Sequence, residues 1–154
     1  MSVAPPRSGP ERKAHVLELL ESERDAWVAT ADAQGEVCQI PLSFAWDGEV
    51  LILSTPSGSV TGRNLAASGR VRLALGGTRD VVLIEGAVRT YPGGEVPDAH
   101  GDAFAAKHVW DPRKDTSSAG DYAFFVVTPV RLQSWREENE LKARTLLRDG
   151  AWLY

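Results

Sequence analysis

Apolar and polar residues alternate along much of this chain, and the alternation sets the first expectations. From Val37 to Trp46 the even positions are Cys38, Ile40, Leu42, Phe44 and Trp46, while the odd ones include Gln39, Pro41 and Ser43. A period of two is a strand with one face on a core and the other on water or a ligand. Pro41 has no N–H for a ladder, so it marks an edge or a bulge. Apolar runs at Ala26–Thr30, Val50–Leu53, Val71–Leu75, Asp80–Thr90, Tyr122–Val127 and Val130–Trp135 predict further strands, with turn residues between them. Thr128-Pro129 divides the last two runs. Gly86 interrupts the face formed by Val82, Ile84 and Val88, which predicts a bulge or a close backbone approach.

Helical spacing is rarer. Val16, Leu17 and Leu20 share one face of a helix predicted over residues 11–23, and Ser8 and Glu11 have capping-box spacing around Pro10. A brief helix starts at Ser59 or Thr61 and stops at Gly69, and a third runs from about 96 to 108. Residues 1–9, rich in Pro, Ser and Gly, read as a flexible tail, and residues 10–154 as one domain. Residues 111–121 read as a polar loop, and the segment after Trp135 fits neither period. The expected fold is mainly β with α, a barrel of six to seven antiparallel strands with peripheral helices.

Composition narrows the function. With 43% apolar residues the chain can build one core, and its net charge of −4 argues against a nucleic-acid partner. No basic–aromatic groove suggests a single-strand-binding barrel. The start has no apolar leader and no run approaches a membrane span, so the expectation is a cytoplasmic protein off the membrane. Cys38, the lone cysteine, reads as a buried inert thiol, and His15 as a solvated side chain. His100 and His108 lack converging ligands, so no metal site is expected. Nucleotide-fold, nucleophile-elbow and zinc-protease motifs are all missing from the sequence. Chemistry here would come from a cofactor.

The stretch Ser54 to Arg70, S-T-P-S-G-S-V-T-G-R-N-L-A-A-S-G-R, carries the candidate chemistry. It brings Thr55, Ser57, Ser59, Thr61 and Arg63 to one helix N-terminus, an arrangement that attracts a phosphate. On the pattern alone, an ordinary capped helix explains it better.

Its place in the chain reverses that preference. The order W-V-A-T-x-D-x-x-G, P-L-S-F-x-W-D-G, L-S-T-x-x-x-S-x-x-x-R-N-L, R-V-R-L and T-R-D-V-V-L-I-E-G-x-V resembles the pyridoxamine-phosphate-oxidase-like flavin reductases, a split-barrel family. The resemblance runs from Trp27 to Trp152. It implies that Thr55, Ser59, Thr61 and Arg63, with Asn64 of the same motif, hold a flavin phosphate. Thr61 stands where the family commonly has lysine. It also implies that Gln39, Pro41 and Ser43 run beside the flavin ring, and that Asp80 replaces a flavin-contacting glutamine. W-R-E-E-N-E-L-K-A-R resembles the family's closing motif, in which Trp135 and Arg144 match a Trp and an Arg that touch the flavin. An aromatic and a cation packed at a barrel end or dimer seam fit those two nearly as well. Glu140 and Lys142 stand where the oxidases use Arg and His, so pyridoxamine phosphate is not the expected substrate. The resemblance further implies a homodimer with flavin at the interface, and FMN, or alternatively a deazaflavin coenzyme or haem, as cofactor. The expected function is an oxidoreductase moving hydride to or from a small conjugated substrate. The alternative is a non-catalytic flavin- or haem-binding module.

Overall fold

The computed structural model describes residues 4–116 and 121–154. Its eight strands are β1 (Asp25–Ala31), β2 (Val37–Trp46), β3 (Leu51–Pro56), β4 (Arg70–Leu75), β5 (Val81–Pro92), β6 (Tyr122–Trp135), β7 (Thr145–Arg148) and β8 (Ala151–Trp152). The helices are α1 (Gly9–Ser22), α2 (Val60–Ser68) and α3 (Asp98–His108). Strand order is β3-β2-β1-β4-β5-β6-β7-β8, and β6 also pairs with β3 from Leu51↔Val127 to Pro56↔Tyr122. Six antiparallel strands therefore close a barrel, and β7 with β8 extends it beyond β6.

Closure explains the burial pattern. Val28, Leu53, Leu73, Ile84 and Phe125 fill the barrel, and Val16 and Leu20 of α1 join the same core with Leu146 and Leu147. A smaller core lies under α3, where Ile52, Phe104 and Phe124 meet Ala45 and Val96. Strand β3 is buried on both faces, which is why Leu51 to Leu53 is an unbroken apolar run. Phe104 is fully buried and meets Phe124 edge-on at 5.9 Å; its burial contributes about 2–3 kcal/mol.

Two predicted strands are one. Tyr122 to Trp135 runs unbroken through Thr128-Pro129, because the ladder slips there: Glu85 faces Arg131, Gly86 faces Pro129, and Val130 is the extra residue. The bulge absorbs a proline that cannot donate. A Cβ on Gly86 would lie 2.3 Å from Val127 Cγ1, so the close approach expected at this glycine is also present.

The segment after Trp135 forms a 3-10 turn at Glu138–Ala143 and the β7–β8 hairpin. Strands of four and two residues are too short to show a period. Among the described residues no helix is long and apolar enough to cross a membrane. His15 is not a solvated side chain: its Nε2 lies 2.8 Å from Asp80 Oδ2.

Candidate functional site

The loop after β3 is held by its own backbone. Ser57 N–H donates to Asp121 O at 2.9 Å, and Ser59 N–H to Pro56 O at 3.1 Å. Ser59 is the N-cap of α2: its Oγ accepts from Gly62 N–H at 3.0 Å and donates to Pro56 O at 2.8 Å. A Cβ on Gly62 would sit 2.5 Å from Pro56 O, so only glycine lets the helix fold back on the loop. Gly69 caps the other end in the left-handed conformation, as its position predicts.

The hydroxyl cluster is divided by this packing. Thr55 and Thr61 are buried, the latter with Oγ1 3.6 Å from Cys38 Sγ. Asn64 is buried too and donates to Thr30 Oγ1 at 3.1 Å, pinning α2 to β1. Ser57 and Arg63 are exposed, and Arg63 Nη1 donates to Gly58 O at 2.9 Å. Ser59 Oγ caps Gly62, and among the described residues no side chain caps the first-turn N–H groups of Val60 and Thr61. An exposed guanidinium, a hydroxyl and two uncapped N–H groups fit an anion here.

Beyond this loop, β2 is covered on one edge only, since residues 37–43 pair with β1 and only Phe44 to Trp46 pair with β3. Pro41 therefore lies on an edge, as expected. Gln39 and Pro41 are exposed, and Ser43 Oγ donates to Asp25 Oδ1 at 2.8 Å. The same open edge leaves Cys38 half-buried, where full burial was expected.

Asp80, Trp135 and Arg144 form a second group. Val81 faces Trp135 across β5–β6, and Arg144 lies 5.6 Å over the Trp135 ring. Asp80 is held by His15 and by Arg136 Nε at 3.2 Å. Burial opposes its ionisation, but those hydrogen bonds outweigh it and keep the carboxyl below its usual value. Among the described residues no hydrogen bond, ion pair or ring contact joins this group to the α2 loop. Thr30, beside Asn64, and Asp25, beside Ser43 and the turn after β4, lie at opposite ends of β1, about 16 Å apart by strand rise.

Glu140 does not face an open site. Arg7 grips it through Nε and Nη2 at 3.0 and 2.9 Å, and Arg136 N–H donates to it at 2.7 Å. The Arg7 guanidinium holds the carboxyl down at about 2, against the opposing effect of burial. Repulsion of a substrate phosphate by Glu140 therefore has no basis in this structure. Among the described residues no group of three His, Cys, Asp or Glu side chains could hold a metal. His108 is buried with Nε2 2.7 Å from Phe44 O, and burial keeps its imidazole below its usual value.

Sequence reasoning missed a groove of about 600 Å³ on the outer face of β1, β4 and β5. Ala29, Ala31, Ala87 and Val37 give it an apolar floor, and Arg72 and Glu85 pair across it. Alanine at outward strand positions was the available signal. Trp27, half-exposed opposite Pro41, lines a neighbouring groove of about 300 Å³.

The sequence matches the family described as pyridoxamine 5'-phosphate oxidase over residues 13–136. The chain belongs to this oxidase family. Its barrel is similar to that of an F420 reductase, 23% identical with a TM-score of 0.59, covering 75% of this chain and 93% of that one. A putative pyridoxamine 5'-phosphate oxidase from Listeria innocua is 11% identical with a TM-score of 0.62, covering 81% and 98%. General stress protein 26 from Bacillus anthracis is 14% identical with a TM-score of 0.59, covering 82% and 95%. No curated protein matches the sequence. At these identities the likeness is one of fold, and the oxidase family accounts for the split barrel.

Proposed function

We propose that this oxidase-family chain is an oxidoreductase that binds a phosphate-bearing flavin-type cofactor and moves hydride to or from a small conjugated substrate. FMN is the first choice and the deazaflavin coenzyme the second. The observation that carries the reading is the start of α2, where Arg63 and Ser57 are exposed beside two N–H groups that no side chain caps among the described residues. There the backbone and Arg63 would hold the phosphate, and Gln39, Pro41 and Ser43 would border the ring along the open edge of β2. When bound, the flavin supplies the hydride chemistry. The chain's part is to orient it and exclude water.

We also propose that a second copy of the chain completes the site with Trp135 and Arg144. The lack of any contact, among the described residues, between the α2 loop and Trp135 or Arg144 in one copy supports this. So does the outer face of β1, β4 and β5, where Trp27 is 51% exposed and Ala29, Ala31 and Ala87 form an apolar strip.

Binding FMN against riboflavin tests the phosphate site, since the two differ only by that group. A hydrogen bond to a charged group is worth roughly 1.5–3 kcal/mol, so two of them, partly offset by desolvation, favour FMN by about 10–1,000-fold. Arg63→Ala should remove much of that preference and leave riboflavin unchanged. Equal affinities in the unmutated protein would reduce the loop to a capped helix. Tighter binding of the deazaflavin coenzyme would keep the anion site and change the cofactor. Haem binding with no flavin binding would overturn the reading.

A binding module without turnover is the second reading. It is favoured by the histidines, since His15 is engaged by Asp80 and His108 is buried against Phe44. Turnover with a reduced nicotinamide or deazaflavin donor separates the two.

A further inference from the structure

The last turn of α3 is pinned to the barrel by a histidine. His108 is only 9% exposed and lies against Phe104, with 4.7 Å between ring centres. Its Nε2 is 2.7 Å from Phe44 O. A carbonyl only accepts, so Nε2 carries the proton and donates. The other ring nitrogen, Nδ1, is buried without a hydrogen-bond partner among the described residues. The ring therefore fits in its neutral form, with a bare lone pair at Nδ1. A second proton there would put a charge and an N–H into a space that offers no acceptor. Lys107 of the same turn and Arg24 before β1 also oppose a cation, while Asp25 of β1 favours one. Beyond Phe104 the packing continues with Trp110 and Phe124, which carry no charge.

The next residue is strained. Val109 has φ of 51° and is 92% exposed. A β-branched side chain is a poor fit to the left-handed region. The chain takes this path because both sides of Val109 are anchored. His108 is held on Phe44, and Arg113 beyond it donates to Asp102 of α3 at 2.8 Å. We propose that His108 is an acid-released latch. While neutral it holds the end of α3 on the barrel; on taking a proton from solvent at Nδ1 it leaves Phe44, Val109 relaxes and the last turn unwinds. The moving end borders a pocket of about 450 Å³ lined by Ser57, Thr90, Pro112, Arg113 and Tyr122, so the latch controls access beside the α2 loop. The latch itself takes no residue from the proposed cofactor site, and its test needs no cofactor.

Burial holds the His108 imidazole below its ordinary value of 6.5, so the open form binds the proton first. The closed form is fully favoured above that pH and loses ground below it, by up to about tenfold in the opening equilibrium per pH unit. Amide exchange of Ala105 to His108, followed by NMR in the full chain and corrected for the intrinsic effect of pH, tests this. From pH 7 to 5, opening of the α3 end should rise about 5–20-fold while β4 stays level. His108→Gln offers an amide N–H in place of Nε2 and does not titrate, so it should hold the rise below about twofold. His100→Gln is the control for the other histidine of α3, whose Nδ1 lies 3.5 Å from Asp47 Oδ2. A protonated His100 would hold the helix more tightly, so the rise should survive that change. Val109→Gly removes the strain from the closed form and should lower opening severalfold at every pH. If His108→Gln fails to fold, NMR of the His108 ring in the unmutated chain decides: proton uptake in step with α3 opening is expected. Level exchange from pH 7 to 5, a rise that persists in His108→Gln or vanishes in His100→Gln, or a ring that takes its proton with α3 still closed would each overturn the latch. Equal or faster opening in Val109→Gly would overturn the strained joint.

Discussion

At the scale of single residues, the Arg7–Glu140 pair shows how context changes a reading. Read along the chain, Glu140 is an acid displacing a substrate-binding arginine. In the fold it is a buried carboxylate with Arg7 across 133 positions of sequence. A carboxyl held at about 2 rather than 4.5 corresponds to ~3 kcal/mol of preference for the charged form. The folded-state value is depressed, so this stability is fully present above pH 4.5. It is lost as the pH falls from there towards 2. Glu140→Gln keeps the shape and leaves Arg7 unpaired, which should cost about 3 kcal/mol. Urea melts between pH 7 and 3 should show a shallower acid dependence for the variant. Identical acid profiles would mean that the pair contributes nothing. The same scale decides the loop: Thr55, Thr61, Ser59 and Arg63 look equivalent in sequence, yet only Arg63 among them is exposed.

At the scale of elements, β6 is the decisive strand. Its first half closes the barrel on β3 and its second half carries β7, while β5 follows it throughout. The bulge at Val130 lets one strand do both. Gly86→Ala should therefore cost about 1–3 kcal/mol, because its Cβ would meet Val127 Cγ1. Val127→Ala alone creates a cavity, but in the double mutant the two changes relieve each other. Thermal melts of the four proteins should show a coupling of about 0.5–2 kcal/mol. Additive losses would mean that the backbone, not Val127, sets the need for glycine. Two strands were expected here because proline reads locally as a break, and the pairing that tolerates it comes from β5.

For the whole molecule, the expected state is a homodimer with its seam on the outer face of β1, β4 and β5. Light scattering on a gel-filtration peak should give twice the chain mass at micromolar concentration. Trp27→Glu should shift it towards monomer by placing a charge in the apolar strip, with little loss of monomer stability, since Trp27 is half-exposed. If Trp135 and Arg144 reach the cofactor of a second copy, Trp27→Glu should also weaken FMN binding. A Trp27→Glu dimer would move the seam elsewhere. What the sequence by itself determined were the features encoded within a turn or two of chain. The period of β2, the capping box at Ser8 and Glu11, the Ser59 cap and the Gly69 stop all depend on neighbouring residues alone. Only the tertiary structure decided the closure of β3 on β6, the continuity of β6, the burial of Thr55 and Thr61, and the pairing of Arg7 with Glu140. Each of those joins residues far apart in sequence, and no local period or cap records which distant partner a strand face or a charge will meet.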